Sequence, residues 1–132
     1  MKTKRIFLDG VELIVREGYE PSHQLLTDFP SSCGAGEGFG QIAVPETMYL
    51  LRISAACAIH DDMFEHGAPT YAEFHQINGI MGKNLRAIIM AKSNWFMKFP
   101  RLIRAEEYFL VVDTVGIFCY KALKKEQGRY FA

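Results

Sequence analysis

From Thr70 onward the chain repeats apolar residues at three- and four-residue steps: Tyr71, Phe74, Ile77, Met81, Leu85, Ile88 and Ile89. Successive helical residues turn by about 100°, so these side chains share one stripe, and a stripe that long must be buried against other elements. Thr70 and Glu73 stand at capping-box spacing at its start. The pattern predicts a helix over about 70–93 that runs through Gly79 and Gly82. A second run, Tyr49, Leu50, Ile53, Cys57, His60 and Phe64, follows Pro45 and Glu46 and stops at Gly67, which predicts a helix over about 45–66. Pro100 opens a third. It turns Ile103, Phe109, Leu110, Val112, Val115, Gly116 and Cys119 inward and ends near Gln127, with Lys121, Lys124 and Lys125 at its negative end. These three helices make the chain mainly α.

Ahead of them, residues 5–16 alternate around Asp9-Gly10, which predicts a small β-hairpin within 1–17. Residues 18–44 hold neither period and carry Pro21, Pro30 and glycines at 34, 36, 38 and 40. They read as a loop whose Tyr19, Phe29 and Phe39 argue for order. The 132 residues suffice for one core, so hairpin (1–17), loop (18–44) and helical core (45–127) form a single domain.

Fifteen basic residues balance fifteen acidic ones, which removes any global attraction to nucleic acid or to an anionic membrane. The most apolar segment, Tyr108 to Tyr120, contains Asp113 and is too short to span a bilayer, so no transmembrane segment is expected. Asp9, Gly10 and Glu12 interrupt any secretory signal and place the chain in the cytosol. There Cys33 and Cys57 read as buried thiols, with one disulfide left open, and Cys119 as core.

Chemistry concentrates in His60-Asp61 and in the loop Ser32-Cys33-Gly34-Ala35-Gly36. A glycine-rich loop bares backbone carbonyls, and a hard cation such as calcium takes several such oxygens with a carboxylate, which Asp61 offers. A nearby imidazole then serves as general base toward water. The plainer readings make the glycines a turn before the first helix and Asp62 and Glu65 a solvated face. They put His23, His66 and His75 on the surface, and have Trp95, Phe96 and Phe99 staple the second helix to the third.

The stretch Cys33-Gly34-Ala35-Gly36 followed by Cys57-Ala58-Ile59-His60-Asp61 resembles the calcium loop and active-site helix of phospholipase A2. The wider order resembles more closely small bacteriophage proteins of uncharacterised function with this phospholipase-like signature. It comprises Cys33 to Gly36, Val44-Pro45-Glu46, Cys57 to Asp61, Asn84, and Arg104-Ala105 with Tyr108, over roughly residues 30–118. The resemblance implies a phospholipase A2-like helical core and a Cys33–Cys57 pair. It implies calcium held by Asp61 and the carbonyls of Ser32, Gly34 and Gly36, with His60 as base of a lipid ester hydrolase. Where those enzymes steady the histidine with an aspartate, this chain has the neutral Asn78, which can accept the ring N–H. Asp113, a carboxylate in an apolar stretch that needs a partner, is the alternative companion of His60.

Three functions follow. The first is a calcium-dependent hydrolase of phospholipid. The second is a non-enzymatic phage accessory protein that binds a host or virion protein on the same scaffold. The lesser third is a metal phosphohydrolase built on His23, His60, Asp61 and Asp113, which leaves the glycine loop unexplained. Each belongs in the bacterial host cytoplasm or with the virion.

Overall fold

Strand β1 (Thr3–Leu8) pairs antiparallel with β2 (Val11–Arg16), Ile6 opposite Leu13 and Leu8 opposite Val11. Gly10 takes the positive φ of 77° that the turn requires. Val11, Leu13 and Val15 are buried and Glu12 faces out, so one face of the ribbon lies on the helices. The computed structural model describes residues 1–8, 10–19, 47–48 and 51–131. His23, Ser32, Cys33, Gly34, Gly36 and Glu37 lie outside the described residues.

Four helices follow among the described residues: α1 (Ser54–His66), α2 (Tyr71–Lys92), α3 (Trp95–Thr114) and α4 (Gly116–Glu126). Together with the hairpin they make the chain mainly α, as the periodicity implies. Helix α2 matches its expected span, and Thr70 Oγ1 accepts the Glu73 N–H at 3.2 Å as the capping box requires. The buried side of α2 is the stripe read from the sequence from Phe74 onward, with Asn78 and Asn84 set into it, whereas Tyr71 at its start is exposed.

Three boundaries differ from expectation. The first helix starts at Ser54, because β3 (Thr47–Met48) and β4 (Leu51–Arg52) pair as a minimal second hairpin ahead of it. Short apolar runs fit either period, and Leu51 and Arg52 are extended here, while Tyr49 and Leu50 lie outside the described residues. The third helix begins at Trp95, where Asn94 accepts the Met97 N–H at 2.8 Å, and so encloses Pro100. It then ends at Thr114, and α4 restarts at Gly116. Thr114 Oγ1 bonds back to Leu110 O at 2.6 Å, competing with the backbone ladder at the break.

The inward face of α3 also differs. Ala105 and Tyr108 are its buried residues, whereas Ile103, Leu110 and Val115 are exposed. Among the described residues Trp95, Phe96 and Phe99 do not staple α2 to α3: they are 78%, 69% and 68% exposed. No described helix is long and apolar enough to cross a membrane.

Two polar side chains tie these elements together. Asn84, fully buried on α2, accepts the Ile14 N–H and donates to the Ile14 carbonyl, each at 2.8 Å, so its amide pairs with β2 as another strand would. Lys124 is not a solvated helix end. Its ammonium donates to Phe64 O at 2.6 Å, Glu65 O at 3.1 Å and Gln127 Oε1 at 3.1 Å, capping the C-terminus of α1. Arg129 and Tyr120 extend this cap to the carbonyls of Gly67 and Ala68. Cys57 is disulfide-bonded, which decides for the disulfide over the buried thiol, the two alternatives the sequence leaves open, and Cys119 is free.

Candidate functional site

His60 stands in the middle of α1, one turn after Cys57, on the side that meets α2. The Phe64 ring lies 4.2 Å from it, centroid to centroid, and the imidazole is 7% exposed. Burial pushes its pKa down to about 4, against the opposing pull of its bond to Asn78, so the ring is neutral at ordinary pH.

Asn78 Oδ1 lies 2.8 Å from His60 Nε2, Asn78 Nδ2 donates to Asp113 Oδ1 at 3.1 Å, and His75 Nδ1 lies 2.7 Å from that same oxygen. The direction of this chain follows from what each group can do. An ionised carboxylate only accepts, so the Asn78 amide must present its N–H to Asp113 and its oxygen to His60. An amide oxygen also only accepts, so His60 Nε2 carries the ring proton. Nδ1 is then the nitrogen with a free lone pair, and it makes no hydrogen bond among the described residues. Asn78 and Asp113, read from the sequence as alternative companions of His60, act in series. Asp113 reaches the imidazole only through the amide.

Asp61 is rotated by about 100° from its neighbour and sits beside Tyr108 of α3. Burial pushes its carboxyl up to about 8, and it makes no hydrogen bond or ion pair among the described residues. Burial and the Asp61 charge together raise the Tyr108 phenol. With its carboxyl raised to about 8 and no donor among the described residues, Asp61 keeps its proton near neutral pH, and a cation there would have to displace that proton. Asp62, by contrast, is fully engaged: Arg16 grips it with Nε at 2.9 Å and Nη2 at 3.1 Å, and His66 approaches at 3.3 Å. It is an anchor between β2 and α1 rather than a solvated acid.

His60, Asn78 and Asp113 therefore meet, with Asp61 on the adjoining face. Among the described residues no group of three or more His, Cys, Asp and Glu is arranged to hold a metal ion. His60, Asp61 and Asp113 are not brought together as metal ligands among the described residues, and His23, the fourth residue of the phosphohydrolase reading, lies outside them. A cation at Asp61 needs further oxygens from elsewhere, such as the loop of Ser32, Gly34 and Gly36.

Two site residues escaped the sequence reading. Tyr108 had a signal in its spacing from Arg104-Ala105, and His75 in standing three residues before Asn78, a separation that makes helical residues neighbours. Compared with known protein families, with curated proteins and with solved structures, the chain matches none.

Proposed function

We propose that this protein is a phage-type, phospholipase A2-like hydrolase of lipid esters, with His60 as general base and Asp61 as the carboxylate that holds calcium. The observation that carries this reading is the one-way hydrogen-bond chain that puts the His60 proton on Nε2 and leaves Nδ1 without a hydrogen bond among the described residues, on the residue next to Asp61, whose carboxyl has no partner among them either.

His60 Nδ1 takes a proton from water as its oxygen bonds to the ester carbonyl carbon. The imidazolium keeps its Nε2–H on Asn78 Oδ1. When the carbonyl re-forms and the C–O bond to the glycerol oxygen breaks, His60 returns the proton to that oxygen, leaving a fatty acid and a lysolipid alcohol. Calcium, when bound, supplies positive charge for the developing oxyanion. Asp61, which has no partner among the described residues, fits such a hard cation, and the resemblance assigns the remaining oxygens to Ser32, Gly34 and Gly36. Burial, which lowers the basicity of the His60 imidazole, works against proton abstraction.

The bonded Cys57 favours a virion-associated or otherwise oxidising location over a reducing cytoplasm, with Cys33 its partner as the resemblance implies. Calorimetric titration with calcium tests the site. Millimolar binding that disappears in Asp61→Asn supports it, and no binding at millimolar calcium removes the mechanism.

A second reading, a scaffold that binds a host or virion protein, rests on the exposed Trp95, Phe96, Phe99 and Ile103 of α3. If His60→Ala and Asp61→Ala keep the phage-associated phenotype while Phe96→Ser with Phe99→Ser loses it, this reading replaces the first.

A further inference from the structure

His75 belongs to none of the roles above, yet it ends the chain that begins at His60. Its ring is half exposed, its Nδ1 lies 2.7 Å from Asp113 Oδ1, and that oxygen also takes the Asn78 amide N–H at 3.1 Å. Two donors on one oxygen fix the carboxylate more firmly than either alone, because the oxygen can leave neither without losing a bond.

The consequence reaches the imidazole. Asn78 is buried, and a carboxamide can turn over to exchange its oxygen and nitrogen with little change of shape. Turned over, it would offer an N–H to His60, and the ring would have to move its proton to Nδ1, the nitrogen the reaction needs free. The acceptor-only oxygen of Asp113 forbids that orientation.

We propose that Asp113 and His75 are positioning residues for His60: by holding one carboxylate oxygen against the Asn78 amide, they decide which imidazole nitrogen bears the proton and which is the base. As a statement about a base this rests on the hydrolase reading. As a statement about a tautomer it stands on the geometry alone.

Long-range proton–nitrogen NMR correlations of the 15N-labelled full chain read the His60 tautomer directly, and hydrolysis of phospholipid vesicles with calcium reads its use. The wild type is expected to show Nε2–H and an unprotonated Nδ1. Asp113→Asn, which can donate as well as accept, is expected to move His60 wholly or partly to Nδ1–H and to lower kcat about 10–100-fold with KM unchanged. Asp113→Glu is expected to restore the tautomer. His75→Ala, at a half-exposed position where folding is not at stake, is expected to shift the Nε2–H resonance of His60 and to lower kcat less than Asp113→Asn does. A His60 that keeps the pure Nε2–H form in Asp113→Asn, or that is unmoved in His75→Ala, overturns the assignment of the residue concerned. A wild type without hydrolytic activity whose His60 tautomer still follows residue 113 overturns the hydrolase reading and leaves the positioning role in place.

Discussion

The amide oxygen of Asn78 accepts the Nε2–H of His60 at 2.8 Å within the helical core, so the candidate base is steadied by a neutral residue. Replacing Asn78 by alanine strands the His60 N–H and removes a donor from Asp113. That loss is expected to lower the unfolding free energy by about 2–4 kcal/mol in urea titrations. Asn78→Asp has the opposite electrostatic effect: it sets a carboxylate against the ring and a second one against Asp113. NMR titration is then expected to find His60 titrating well above 4, in a less stable protein.

Stability should depend on pH in two segments. His60 falls from 6.5 in the unfolded chain to about 4 in the folded one, so its contribution is lost as pH drops through that window. Asp61 rises from 3.8 to about 8, so its contribution is complete below the lower value and lost as pH climbs toward the upper. Between 4 and 6.5 the two slopes oppose and largely cancel. From 6.5 to 8 only Asp61 acts, and the unfolding free energy is expected to fall by up to about 1.4 kcal/mol per pH unit. Urea titrations at half-unit intervals check this. Asp61→Asn should flatten the upper segment and uncover the His60 slope below it.

Lys124 distinguishes a buried cap from a surface charge. Burial is the main cause that lowers its ammonium to about 8, with Arg129 adding to the effect, and three oxygens hold the protonated form in place. Lys124→Ala strands the Phe64 and Glu65 carbonyls and is expected to destabilise by about 2–4 kcal/mol. Lys125→Ala, at the exposed neighbouring position, is expected to change stability by about 0.5 kcal/mol or less, as thermal unfolding would show.

Two glycines should respond with opposite signs. A Cβ at Gly67 would lie 2.6 Å from the Tyr120 hydroxyl, 2.7 Å from Ile77 Cδ1 and 2.8 Å from the Met63 carbonyl. Gly67→Ala therefore forces apart the end of α1, α2 and α4, and is expected to destabilise by about 1–3 kcal/mol. A Cβ at Gly79 meets nothing within 4 Å, in the interior of α2. Gly79→Ala is expected to stabilise by about 0.5–1 kcal/mol, read as a rise in the melting temperature.

What the sequence revealed divides along local and non-local lines. Helix α2 was legible to within a residue because its cap, Thr70 with Glu73, and its stripe are written within one element. The start of α1 was not, since apolar steps at 49, 50 and 53 suit a helix as well as the strand that stands at 51–52. The break at Val115 turns on how Thr114 bonds back to its own helix, which no periodicity records. His60 and Asp61 stood out as a pair, but that Asn78 and Asp113 work in series depends on the register of α2 against α3. Lys124 had an adequate local explanation as a helix-end charge, and only the docking of α4 on α1 shows it buried.

Acyl release from mixed phospholipid vesicles, followed with wild type and His60→Gln in millimolar calcium and again after chelation, tests the central claim most directly. The account predicts release of free fatty acid by the wild type, abolished by the chelator and by His60→Gln, with the folded state intact in both. Release that continues undiminished in His60→Gln, or none from a wild type that binds calcium, would contradict it.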